Sequence, residues 1–260
     1  ASMPFPSKSK VFIFDWDDTL CPSSYAEQWK IQSYKDLPID QQKLFHEVGI
    51  MAERCLELAS RHGEVLIITN SDDGWVKFSA QRFLPHLVPV VEKFRVISAR
   101  TRYEQFYPSQ PLCWKAAAFA HESNEIFEAD QSASFESMAS TDVSSSSSLS
   151  GSSDEENDSE SLTFSQREII SFGDSMEERT AVRIVANQLS AVPKSVMFVS
   201  SPTPLQILGQ LNLIMSNMEF VCDQRISLDL EISPSQARRS SEKYIERLNN
   251  GNQQQQNGIK

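Results

Sequence analysis

Cysteine is scarce: only four occur in 260 residues, at positions 21, 55, 113 and 222. No pair of them falls in a Cys-x-x-Cys spacing, which argues against a zinc knuckle or a disulfide framework and suits a reducing compartment. No run approaches the roughly 18 consecutive apolar residues that a membrane span requires, so no membrane partner is expected. The first ten residues are polar, carry Pro4 and Pro6, and lack the apolar stretch of a signal peptide. No clustered basic face is visible, which makes a nucleic-acid partner recruited by bulk charge unlikely on electrostatic grounds. Basic residues are missing altogether between Glu122 and Phe164, where 11 of the chain's 35 acidic residues lie. The remainder holds 35 − 11 = 24 acidic residues against 24 basic ones, so the net charge of −11 belongs to that one segment. No internal repeat is present. The expected setting is soluble and cytoplasmic, and nothing in the sequence excludes a nuclear one.

What is there is an alternation of two patterns. Short β-branched and aromatic runs at Val11–Phe14, Val65–Ile68, Phe94–Ile97, Ile169–Phe172 and Val196–Val199 read as buried strands. Between them, residues 47–62, 73–83, 113–121, 176–189 and 204–220 read as helices, the first ending at Gly63. The expected fold is α/β: a Rossmann-like parallel sheet of about five strands with helices on both faces and no sizeable cap domain. Residues 1–9 are expected to form an N-terminal extension, and 10–121 with 165–222 the folded domain. Residues 122–164 read as a disordered acidic, Ser-rich insert, because Ser144–Ser148 and Asp154-Glu155-Glu156 offer too little apolar area to offset chain ordering. Residues 223–260 form a C-terminal segment with a loose polar tail from about 249. Ser152 and Ser153 precede acids and suit an acid-directed kinase, or the insert is a plain tether; Arg238-Arg239-Ser240-Ser241 resembles a basophilic kinase site.

The first strand runs directly into Asp15-Trp16-Asp17-Asp18-Thr19-Leu20. Alternation along an extended chain sends Asp15 and Asp17 to the same side, at the strand end where open α/β sheets place ligands. Two such carboxylates suit a nucleophile with an acid/base partner, or a shared divalent cation. A solvated strand end or helix cap is the bland alternative. A helix–loop–helix calcium loop fits poorly, since counting from Asp15 puts Leu20 and Ala26 where Gly and Glu are required.

Three later places have the same character. Thr69-Asn70-Ser71 closes the second strand with a hydroxyl and an amide able to bond phosphoryl oxygens, or is a turn before Asp73. Lys115 opens a helix after Pro108 and Pro111; alone it reads as a surface residue. Gly173-Asp174 closes the fourth strand, with Glu178 four residues on. Asp174 could reach a cation held by Asp15, or could cap a helix with Glu177 completing a capping box.

In that order and spacing, the four places resemble the motifs of the haloacid dehalogenase superfamily of phosphotransferases: a strand ending DxDxT, a strand ending in Thr, a helix-start Lys, and GD followed by an acid. The resemblance covers about residues 10–121 and 165–220. It implies that Asp15 attacks phosphorus to give an aspartyl-phosphate and that Asp17 serves as acid and then base. It implies that Thr69, Asn70 and Lys115 hold the phosphoryl group. It also implies Mg²⁺ on Asp15, the Asp17 carbonyl and Asp174, with Glu178 directly or through water. The family's last motif commonly ends in Asp, whereas this chain has Glu177 and Glu178, so which of them assists the metal stays open. The implied activity is a Mg²⁺-dependent phosphomonoester phosphatase. Its phosphorylated substrate, for an open capless site, is a phosphoprotein or nucleic-acid end. A phosphate-binding scaffold with vestigial activity and a phosphotransferase are the rivals. Tyr25, Trp29 and Tyr34 on a short flap would touch substrate or pack on the body. The insert, which leaves the third helix and returns into the fourth strand on the face opposite the site, would serve regulation or docking, with a kinase or protein partner.

Overall fold

Val11, Phe12, Ile13 and Phe14 are all buried because β1 (Lys10–Phe14) runs through the middle of a sheet covered on both faces. The computed structural model describes residues 9–139 and 166–257. The other strands are β2 (Glu64–Thr69), β3 (Arg95–Ser98), β4 (Glu168–Gly173), β5 (Val192–Met197) and β6 (Leu228–Glu231), in the order β3-β2-β1-β4-β5-β6 and all parallel. Between them come α1 (Ser23–Gln28), α2 (Ile39–Ser60), α3 (Trp75–Phe83), α4 (Val88–Val91), α5 (Ala99–Tyr103), α6 (Pro111–Ala139), α7 (Met176–Gln188), α8 (Pro204–Asp223) and α9 (Pro234–Asn257).

Alternation along β1 builds two cores. Phe12 and Phe14 face a layer from α2, α3, α8 and α9 that includes Phe45, Leu56, Leu208 and Leu211. Val11 and Ile13 face a layer from α6 and α7 that includes Phe119, Phe127, Val182 and Val185. The expected α/β sheet is therefore present, with one strand more than expected. β6 (LDLE) is an edge strand whose Asp229 and Glu231 accept ion pairs from Arg179 on α7, at 2.7 and 3.2 Å. Charged side chains on an edge discourage further strand pairing.

Two expectations need correction. Disorder does not begin at 122: α6 continues unbroken to Ala139. The buried Glu122 accepts from Arg102 and forms an ion pair with Arg95, each at 2.5 Å, and Ile126 and Phe127 pack into the second core. The tail expected to be loose from about 249 is helical as far as Asn257, where α9 ends. Residues 1–8 and 140–165, with the serines at 144–148, 152 and 153, lie outside the described residues. The basophilic motif is also corrected: Ser240 and Ser241 are buried against α8, where Asn212 Nδ2 donates to Ser240 Oγ at 2.8 Å. Gly209 allows that close approach, because a Cβ there would lie 1.9 Å from the Ala237 carbonyl oxygen.

Residues 21–38 form only a short flap with α1 and a 3₁₀ turn, and 70–110 are consumed by α3, α4, β3 and α5. No cap domain intervenes in either place. Toward the amino ends of the interior strands, Lys194 is fully buried and donates to Glu168 Oε2 at 2.6 Å and to the Val221 carbonyl at 2.7 Å. Lys10 donates to the Cys222 carbonyl at 2.6 Å. Both ammonium groups thus serve orphan carbonyls at the end of α8. Among the described residues no helix is long and apolar enough to cross a membrane.

Candidate functional site at the switch point

The strand order reverses between β1 and β4: β2 and β3 lie to one side of β1, and β4 to β6 to the other. At such a switch point the carboxyl ends of adjacent strands open into a crevice. The Asp15 N–H donates to the Phe172 carbonyl at 2.9 Å, continuing the β1–β4 ladder by one residue and fixing the motif's backbone. Asp15, Asp17, Thr69, Asn70, Lys115 and Glu178 all line one cleft of about 800 Å³. The strand-end motifs, separated widely in sequence, are thus neighbours in space.

Lys115 is the hub. Buried to 1% exposure, its ammonium reaches Asp15 Oδ1, Glu178 Oε1 and the Ile68 carbonyl, each at 2.7 Å. All three ammonium protons therefore have acceptors. Burial opposes its charge, but the two carboxylates outweigh that and hold Lys115 above the usual ammonium range. One cation cannot neutralise two buried acids. Burial, with Glu178 and Asp17 near, pushes Asp15 well above the ordinary carboxylate range against the pull of Lys115. Burial works the same way on Glu178, yet Lys115 and Ser175 hold it below that range.

Glu178 is the third residue of α7. It accepts the Ser175 N–H at 3.2 Å and the Ser175 hydroxyl, closing a capping box. The capping residue is thus Ser175, not Asp174, and its partner is Glu178, not Glu177. Gly173 is required by the approach of this side chain, since a Cβ would fall 2.6 Å from Glu178 Cγ. Asp174, released from capping, is pushed up to about 7 by burial and by Glu178 and Asp18. Glu177 also lines the cleft.

Asp17 is half-buried, and its carboxylate takes donors from Thr69, Ser71 and Trp75. The Thr69 hydroxyl expected on a phosphoryl group is therefore placed on Asp17, while Asn70 Nδ2 donates to the Pro111 carbonyl at 3.4 Å. Ser71 and Trp75 had no motif to mark them; Ser71 adjoins the expected Thr-Asn pair, and a polar residue beside a strand-end donor was the available signal. On the flap, Tyr25 and Tyr34 pack against the core, whereas Trp29 is exposed.

Among the described residues no group of three His, Cys, Asp or Glu side chains converges to hold a metal ion. The set nonetheless suits Mg²⁺. Asp15 and Asp174 are oxygen donors, both pushed above the ordinary carboxylate range first by burial and then by neighbouring carboxylates, and Mg²⁺ takes one or two carboxylates and keeps several waters. Glu178 has its oxygens committed to Lys115 and Ser175.

Asp174 makes a pH prediction for the metal-free protein. Its folded value of about 7 exceeds the ordinary 3.8, so the folded state binds the extra proton between those values. Stability from this group is present below about pH 4 and lost as pH rises through 7. In EDTA, Asp174→Asn is expected to be more stable than the wild type at pH 8 by roughly 2–4 kcal/mol, with the gap closing toward pH 4. Urea melts at several pH values measure this; a variant less stable at pH 8 would mean that the carboxylate is structurally paired.

The fold and site define a doubly wound parallel α/β protein with an acid-rich cleft at its switch point and one lysine shared by two carboxylates. No protein-family model matches the chain, and no curated protein or solved structure matches it either.

Proposed function

We propose that the chain is a Mg²⁺-dependent phosphomonoester phosphatase of the haloacid dehalogenase type, acting through an aspartyl-phosphate on Asp15. The observation that carries this reading is the Lys115 bridge to Asp15, with Asp17 two residues on and facing the same cleft. Lys115 engages Oδ1 of Asp15, which leaves Oδ2 as the attacking atom. As the Asp15 Oδ2–P bond forms, the ester P–O bond breaks and Asp17 gives its proton to the departing oxygen. Water then attacks phosphorus, Asp17 takes a proton from it, and the Asp15 O–P bond breaks to release phosphate. Lys115 offsets the repulsion between an anionic nucleophile and an anionic ester. Mg²⁺, held by Asp15, Asp174 and the Asp17 carbonyl, would supply the remaining charge neutralisation at the phosphoryl oxygens. Thr69 and Asn70 line the same cleft and would border a phosphoryl group bound there. The uncapped cleft suits a phosphate presented on a larger molecule, such as a phosphoprotein.

Hydrolysis of p-nitrophenyl phosphate by the full chain tests this. Turnover that requires Mg²⁺, is lost in EDTA and returns when Mg²⁺ is restored is the expected result. Turnover that persists in EDTA would overturn it. Mg²⁺-dependent binding of BeF₃⁻ without any turnover would favour a phosphate-binding scaffold.

A further inference from the structure

Asp17 lies beyond the last paired residue of β1, where a carboxylate has two torsions to lose. Ser71 Oγ donates to its Oδ2 at 2.7 Å and Thr69 Oγ1 to the same oxygen at 3.2 Å. The Trp75 indole Nε1 donates to Oδ1 at 2.8 Å. Donors on both oxygens fix the plane of the group as well as its position. We propose that Ser71 and Trp75 are positioning residues for the acid/base carboxylate of Asp17, an inference that rests on the phosphatase reading above.

The two donors differ in kind. An indole N–H can only donate, so Oδ1 must stay an acceptor in both protonation states. A hydroxyl can donate or accept by rotating, so Ser71 and Thr69 tolerate either a bare Oδ2 or a protonated one. The catalytic proton is thereby assigned to Oδ2, the oxygen beside two hydroxyl-bearing residues that line the cleft. Trp75 is in turn held in place by the motif itself. Gly74, at φ 81°, turns the chain into α3 so that Trp75 is its first residue. The fully buried Trp16, between the two aspartates, donates from Nε1 to Ser79 Oγ at 2.8 Å. Ser79 Oγ then donates to the Trp75 carbonyl at 2.7 Å. The side chain between Asp15 and Asp17 anchors the helix that aims a donor back at Asp17.

The test compares Trp75→Phe, Ser71→Ala and Ser71→Thr with the wild type on two esters, each with Mg²⁺. A p-nitrophenolate departs without a proton, whereas the more basic phenolate of phenyl phosphate needs one, and kcat/KM reports the steps through its departure. Positioned acid catalysis is worth about 10²–10⁴-fold, so Trp75→Phe and Ser71→Ala are expected to lose roughly tenfold or more on phenyl phosphate. On p-nitrophenyl phosphate they lose several-fold less, and Ser71→Thr recovers most of the loss by restoring the hydroxyl. Thermal melts of each variant establish that it is folded. Equal losses on both esters, or Ser71→Thr behaving as Ser71→Ala, would overturn the positioning role while leaving the phosphatase reading intact. A wild type that hydrolyses neither ester would remove the phosphatase reading, and this inference with it, before any variant is made.

Discussion

An Asp15→Asn protein is expected to fold normally and to hydrolyse p-nitrophenyl phosphate on the order of 10⁴-fold more slowly than the wild type, or not at all. The substitution is nearly isosteric, and its amide oxygen can still accept from Lys115, which lies 2.7 Å from Asp15 Oδ1. What it removes is the anionic oxygen that would bond phosphorus. No neighbour can substitute: Glu178 is committed to Lys115 and Ser175, and Asp17 to Thr69, Ser71 and Trp75. Stability should move the other way. Asp15 is buried beside Glu178 and Asp17, so deleting its charge relieves desolvation and like-charge repulsion. Turnover assays and thermal melts on the same samples check both halves. A variant that keeps a tenth or more of wild-type turnover would sink Asp15 as nucleophile; one that is inactive because it is unfolded would show in the melt.

The central part of the molecule was legible because its residues have one job each. The β1, β2 and β4 sequences are largely apolar, as strands buried on both faces must be, and β1 and β2 lead directly to Asp15 and Thr69, which line the cleft. The edge was harder to read. In β6, Asp229 and Glu231 alternate with two leucines, a pattern that composition assigns to a loop until Arg179 on another element supplies the partner. The same blindness cut α6 short. Glu122 looked like the start of an acidic linker, yet it is fully buried between Arg95 and Arg102, and Ile126 and Phe127 repeat the helical period begun by Phe119. In α9, Ala237 and Ser241 pack against Gly209 and Ser240 against Asn212, and the low hydrophobicity of these small residues disguised a buried face. Within the site, residue types were readable but pairings were not. That Thr69 would bond Asp17, and that Ser175 rather than Asp174 would cap α7, depends on side-chain directions fixed only by the packed elements.

Lys115→Met should be the most destabilising single change at the site, costing about 3–5 kcal/mol near pH 8, because it strands two buried carboxylates without their cation. Met fills much of the same volume, so the loss would be electrostatic and therefore dependent on pH. In the wild type, Lys115 holds Glu178 below its ordinary value of 4.5, and that contribution is present above 4.5 and lost as pH falls through the lower folded value. Without Lys115, burial and the repulsion between the carboxylates outweigh the Ser175 bonds to Glu178, and Asp15 and Glu178 are both expected to take up protons at higher pH than in the unfolded chain. Their penalty then grows as pH rises and fades as pH falls. The stability gap between wild type and variant is accordingly expected to be widest at pH 8 and to narrow toward pH 5. Adding Glu178→Gln to Lys115→Met should recover part of the loss at pH 8, since it removes one stranded charge. Denaturant melts of the three proteins across that range decide the matter. A gap that does not change with pH would mean that Lys115 contributes through packing, and the lysine would then be no shared counter-ion for Asp15 and Glu178.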